Sequence, residues 1–186
     1  MTALTPLTGE PLAVDLVNTR PLAVDLLATP DDLRVWLDLQ AHRRPDAPVE
    51  FGDADLGAVH AVRDAVTVAI DHARRGARPP AAVLDALNAA QRAAPAIRHL
   101  DWDGTSITAV DRRIGAPGTR LAAWLAEAAA GLLTDPAVTN IRECEADDCV
   151  LLFLPAHPRR RWCSTARCGN RVRVARHYER HKSAHA

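Results

Sequence analysis

The chain has 186 residues, 48% of them hydrophobic, and a formal net charge of zero, which suits one good-sized domain or a domain plus a small module around a packed core. Aromatic residues make up only 4%, so alanine and leucine carry the apolar burial and favour helix over sheet. No run approaches the roughly 18 to 20 apolar residues that span a bilayer, and Asp15 and Asp25 interrupt the apolar runs of an N-terminus without a basic start; neither a secretory leader nor a membrane partner is expected, and the expected location is the cytoplasm.

The hexapeptide Pro-Leu-Ala-Val-Asp-Leu occurs at 11–16 and again at 21–26. Two copies do not make a solenoid, so they read as two similar short apolar elements, helix or strand. Thr29-Pro30-Asp31-Asp32 is a helix start, with a capping threonine, proline in the first turn and acids at the positive end of the dipole. Leu33, Trp36 and Leu37 share one side of that helix. The stretch from Pro45 to Gly52 reads as a loop. Leu56, Val59, Val62, Val66 and Ile70 recur at helical spacing from about Asp55 to Arg75, and Gly76 stops that helix. Pro79-Pro80 opens another through about Ala94. Asp103-Gly104 lies between the β-prone runs at 100–102 and 106–110 and predicts a β-hairpin. An Ala/Leu-rich helix follows Pro117-Gly118-Thr119 and ends before Asp135-Pro136.

The last block differs in composition. Residues 156–186 carry nine Arg/Lys against one acid, Glu179, a balance of +8 that residues 1–155 offset at −8. A basic segment on an acidic body points to a polyanion-binding module, or to a tail that docks on an acidic partner. All four cysteines fall here or just before, at Cys144, Cys149, Cys163 and Cys168, spaced C-x4-C-x13-C-x4-C. Two short pairs separated by a hairpin-sized loop can converge four thiolates on one tetrahedral ion, and zinc is the expected cofactor, one structural Zn2+ with no open coordination position. An alternative set, Cys163 and Cys168 with His177 and His181, leaves the first pair unexplained. The expected module runs knuckle, hairpin, knuckle, helix: strand Val150–Leu154 turns through 155–158, Arg160 to Cys163 returns, and Ser164 caps a helix to about Lys182. On that helix Arg173, Arg176 and Arg180 share a face, while Val174 and Tyr178 form a stripe expected to pack on the zinc hairpin.

Together these elements predict a mainly α chain with a small β-hairpin, comprising a helical N-terminal domain over 1–138 and a zinc-binding β-hairpin/helix module over 139–186. Arg159, Arg160, Arg161, Arg167, Arg171, Arg173, Arg176 and Arg180 are the candidate nucleic-acid contacts, since guanidinium forks suit phosphates and guanine edges. Double-stranded DNA is the expected partner, with RNA or an acidic protein as the alternative. Enzymatic chemistry is not expected: Asp101, Asp103 and Asp111 sit on the predicted hairpin, where turn formation and solubility explain them.

Cys168-Gly169-Asn170-Arg171 after Trp162-Cys163-Ser164, together with Arg159-Arg160-Arg161 and the Arg-His-Tyr segment 176–178, resembles the signature of the CGNR zinc-finger family. The segment from Gly9 through Thr19, Gly-Glu-Pro-Leu-Ala-Val-Asp-Leu-Val-Asn-Thr, resembles the opening of the ABATE domain that usually precedes this finger. The resemblance implies a bacterial transcriptional regulator, loosely described as stress-induced, with four cysteine zinc ligands and DNA binding. It also raises a pocket for a small-molecule effector in the N-terminal domain, which Asp15, Asn18 and Thr19 would line unless capping and buried hydrogen bonds occupy them.

Overall fold

The computed structural model describes residues 5–22, 24–43 and 50–175. Among the described residues five α-helices form the body: α1 (Leu12–Val17), α2 (Pro30–Leu39), α3 (Asp53–Ala73), α4 (Ala81–Ala93) and α5 (Pro117–Thr134). A hairpin of β1 (Ile97–Trp102) and β2 (Ile107–Arg112) leaves the body between α4 and α5, and β3 (Arg142–Glu143) pairs with β4 (Leu152–Phe153) in the cysteine module. The expected mainly α fold, with a helical domain before a zinc-binding hairpin and helix, is what forms. The loop expected from Pro45 lies largely outside the described residues.

Local chemistry explains the element boundaries. The Thr29 hydroxyl accepts from the Asp32 amide at 3.1 Å while the Asp32 carboxylate accepts from the Thr29 amide at 2.9 Å, so two amides at the start of α2 are satisfied reciprocally. Asp55 does similar work at two helices. Its carboxylate accepts from the Gly52 amide at 2.9 Å and from the Gly118 amide at 2.7 Å, tying the starts of α3 and α5 together. A Cβ at Gly118 would lie 2.4 Å from the Asp55 Cα, so only glycine permits that approach. In the β1–β2 turn the Asp103 carboxylate accepts from the Ser106 and Thr105 amides, which hold it below the usual carboxylate range; Gly104 supplies the positive φ of +98°.

The core lies where α3 and α5 pack against each other and against α1 and α4. Leu16, Leu33, Trp36, Leu37, Val59, Val66, Ile70 and Leu125 are fully buried there, and Ala126 and Ala129 let the helices approach closely. Val138, Ile141 and Leu152 join the same cluster from beyond α5.

The repeated hexapeptide folds two ways. Its first copy forms α1, whereas the described residues of the second form no helix or strand, and Leu22 takes φ +55°. Yet both copies deliver an aspartate to an arginine: Asp15 pairs with Arg43, and Asp25 takes both guanidinium arms of Arg63 at 2.7 and 2.6 Å. Arg63 is 2% exposed. Burial raises the Asp25 pKa, but the hydrogen bonds and charge of Arg63, with the Leu27 amide, outweigh it and leave the group below its ordinary value.

Candidate metal centre and nucleic-acid interface

Each cysteine is placed by its own local device. Cys144 follows β3, and its amide donates to the Leu151 carbonyl at 2.9 Å. Cys149 closes the first knuckle through a bond from its amide to the Ala146 carbonyl at 3.0 Å. Cys163 precedes the Ser164 cap, whose hydroxyl accepts from the Arg167 amide at 3.3 Å. Cys168 sits in one wide helical turn, Thr165–Gly169, closed by a bond from the Gly169 amide to the Ser164 carbonyl at 3.0 Å; helical backbone continues over 170–175. The cap therefore falls at the predicted serine.

The four sulfurs all lie within 4.8 Å of one another, with Cys149–Cys163 at 3.8 Å and Cys163–Cys168 at 3.6 Å. Sulfurs bound about 2.3 Å from a central zinc ion would be about 3.8 Å apart at tetrahedral angles. Burial pushes the Cys163 thiol up, as does its closeness to the other three sulfurs, and Cys168 rises to about 11, chiefly by burial. Burial raises Cys144, but hydrogen bonds to its sulfur from the Cys163 and Ala146 amides and from the Cys149 and Cys168 thiols together bring it down. Four thiolates this close repel one another unless a cation sits among them, so the donor set fits a structural zinc ion and supplies all four of its ligands. The set is the four cysteines, not the mixed one with His177 and His181, which lie outside the described residues.

The module's hairpin differs from the expected one. The strand at 152–153 pairs with 142–143, enclosing the first knuckle, rather than with a returning strand at 160–163. The return is an irregular segment that meets the first knuckle through a bond from the Glu145 amide to the Arg161 carbonyl at 3.0 Å. Along the chain from 151 to 154 the side chains alternate: Leu151 and Phe153 belong to the cysteine cluster, Leu152 and Leu154 to the helical core. That short run is apolar throughout because both of its faces are buried. The stripe on the terminal helix is also shifted. Val172, not Val174, packs on the cysteine cluster, and Val174 is 54% exposed; Tyr178 lies outside the described residues.

The arginines divide by partner. Arg160 reaches Glu10 at 2.5 Å and the carbonyls of Leu154, Trp162 and Cys163, with its guanidinium 4.6 Å from the Phe153 ring centroid. These bonds make it a clamp between the body and the module. Arg171 lies 3.4 Å from the Cys168 sulfur and 2.6 Å from Asp148, joining the two knuckles and donating to a metal ligand. Arg161 pairs with Glu145 at 2.5 Å beside the Trp162 ring. Arg167 donates to the Thr5 carbonyl. Arg159 and Arg173 are exposed, and among the described residues Arg173 bonds to the Asn170 side chain on its own helix. Arg176 and Arg180 lie outside the described residues. Arg142, which the sequence reading overlooked, is exposed and donates to the Pro158 carbonyl at 3.2 Å; its place before the first knuckle, apart from the basic run, hid it.

The body grips this module through the N-terminal motif. The Asn18 amide donates to the Leu152 carbonyl and its oxygen accepts from the Leu152 amide, both at 2.8 Å. Glu10 accepts from the Leu154 amide at 2.9 Å with one oxygen and from Arg160 with the other. Asp15 accepts from the amides of Gly9 and Glu10, each at 3.0 Å, and Thr19 donates to the Leu16 carbonyl at 2.6 Å. Asp15, Asn18 and Thr19 are thus buried and hydrogen-bonded. Asn18 also borders an open cleft of about 460 Å³ between α1, α3 and the β3–β4 loop, which Arg20, Asp64, Asp71 and Glu143 line as well.

No helix among the described residues is long and apolar enough to cross a membrane. A search of curated proteins found no match. Among protein families, the CGNR zinc finger matches residues 140–181, which contain all four cysteines and the described arginines of the module. The ABATE family, described as "Putative stress-induced transcription regulator", matches residues 10–136. That span covers more than half of the sequence and includes the Glu10–Asn18 grip, so the chain belongs to the ABATE family, with a CGNR zinc finger following it.

Proposed function

We propose that this protein is a bacterial, cytoplasmic, DNA-binding transcriptional regulator in which the zinc module presents a basic surface to double-stranded DNA. The carrying observation is the exposure of Arg142, Arg159, Arg161, Arg171 and Arg173 around one cysteine-clamped module. When bound, zinc supplies a rigid joint between the two knuckles. The chain's own residues then set the surface: Arg171 fixes the start of the terminal helix against Cys168, Ser164 caps it, and Arg159 and Arg173 are left to meet phosphates. Arg176 and Arg180 extend the same reading along the sequence.

On this reading the chain is not an enzyme. Four protein ligands leave the ion no site for a reacting water, and the hairpin acids are otherwise engaged, Asp103 in its turn and Asp111 with Arg98 at 3.3 Å. Titration of zinc-loaded protein with labelled duplex DNA at two salt concentrations tests the proposal. Binding should weaken with salt, with a log–log slope of about −0.9 per phosphate neutralised, and Arg159→Ala should make the slope shallower by about one phosphate. No binding at either salt would overturn it. Competition with structured RNA and single strands checks the alternative, an RNA-binding or protein-interaction module; preference for RNA would replace the DNA reading.

A further inference from the structure

The β1–β2 hairpin pairs with nothing but itself: among the described residues, neither strand contacts any other element. Every residue of β1 is exposed, and so is all of β2 except Thr108. The pairing register puts Arg98, Leu100, Trp102, Ile107, Ala109 and Asp111 on one face. Of these, Leu100 is 64%, Trp102 61% and Ile107 72% exposed. An isolated two-stranded hairpin is marginal in water, and a long apolar edge strand is a template for another strand.

The free edge of β1 is specific in its chemistry. The Asp103 amide bonds to the Ser106 carbonyl at the turn. By the alternation of an antiparallel ladder, Ile97, His99 and Asp101 then exchange bonds with β2, and the backbone groups of Arg98, Leu100 and Trp102 point outward. In keeping with this, the Trp102 amide donates to the Asp101 side chain at 2.8 Å.

We propose that β1 pairs antiparallel with β1 of a second copy of this chain, about a two-fold axis at Leu100, making a four-stranded sheet and a dimer. In this register Leu100 meets Leu100 of the second copy as a hydrogen-bonded pair. Arg98 lies across from the Trp102 ring, a cation–π arrangement, and His99 lies across from Asp101. The Arg98–Trp102 and His99–Asp101 contacts each occur twice, and the Leu100 pair lies on the axis. Three other centres are worse: an axis at Arg98 or Asp111 sets like charges face to face, and one at Ala109 sets Ile107 against Asp111. The β1 edge is therefore self-complementary about Leu100. Trp102 exchanges its bond to Asp101 for one across the new interface.

Sedimentation equilibrium of the full-length, zinc-loaded protein should give a dimer. Leu100→Asp puts two carboxylates on the axis and should weaken association on the order of tenfold or more. Leu100 is 64% exposed and β1 contacts no helix among the described residues, so helical circular dichroism and zinc content should stay unchanged. Leu100→Cys should form a covalent dimer under mild oxidation, while Ala109→Cys and Ile114→Cys should not. A monomer at all concentrations, a dimer indifferent to Leu100→Asp, or preferential cross-linking through Ala109→Cys would overturn the proposal.

Discussion

The body and the cysteine module are stabilised by different physics. In the body, aliphatic side chains from several helices are removed from water, and cohesion is spread over many contacts of similar weight. The module's cluster consists of Ala146, Leu151, Phe153 and three buried cysteines, with Leu7, Cys149, Trp162 and Val172 around them. Such a core is too small to stand alone, so its cohesion depends on one ion and on the body beneath it. A spread-out core tolerates local damage, whereas a core with one linchpin does not.

The sharpest way to break this contrast is to remove the metal. Structural zinc contributes about 10–16 kcal/mol in small finger peptides. Chelation, or Cys163→Ser, should therefore abolish zinc retention and DNA binding. Far-UV circular dichroism should keep most of its helical signal, because α2 to α5 contribute nothing to the sulfur cluster. Collapse of the whole helical signal on chelation would show the two regions to be one cooperative unit.

The converse experiment targets the body. Arg63→Met leaves Asp25 without its guanidinium, and removing one member of a buried pair costs about 3–5 kcal/mol. The thermal midpoint should fall while zinc content stays stoichiometric. The pair also sets a pH dependence. Folding lowers the Asp25 pKa below its ordinary value, so its contribution is present above that ordinary value and is lost as pH falls through the folded pKa. Wild type should lose this increment on acidification and Arg63→Met should not, as urea titrations from neutral to acid pH can show.

A smaller effect belongs to the joint. Asn18→Ala strands the amide and carbonyl of Leu152, a cost of about 1–3 kcal/mol for a buried unsatisfied group. Hydrogen exchange should quicken in β4 and the 150–154 segment before α3 or α5 responds. Uniform quickening would place Asn18 in the body's cooperative unit instead.

These partners explain what could be read from the sequence and what could not. Thr29 with Asp32, Asp103 with Ser106 and Ser164 with Arg167 are bonded three residues apart, so the starts of α2 and the terminal helix and the β1–β2 turn were legible. The cysteine set was legible because few chemistries need two short pairs of thiols. The joint was not, since Asn18 meets Leu152 across 134 residues and Glu10 meets Arg160 across 150. Arg160 sits in an Arg-Arg-Arg run whose three members look alike until the fold selects one to face inward. The two hexapeptides fail for the same reason: identical residues form α1 in one copy and, where described, no helix or strand in the other, according to whether Asp15 meets the Gly9 and Glu10 amides or Asp25 meets Arg63.

The smallest expected effect lies at the proposed DNA face. The first knuckle carries Glu145, Asp147 and Asp148, and two of these acids hold Arg161 and Arg171 at 2.5 and 2.6 Å. Their carboxylates occupy guanidinium positions that phosphate oxygens would take. Both pairs are about half exposed, so each is worth only about 0.2–1 kcal/mol. On the proposed reading, DNA would have to compete with the acids to displace them. Glu145→Gln with Asp148→Asn should therefore tighten duplex binding a few-fold at low salt, and the gain should shrink as the Debye length shortens to about 8 Å at physiological ionic strength. Weaker binding by the double variant would mean that the acids orient the arginines rather than compete for them, and fluorescence anisotropy at two salt concentrations separates the two outcomes.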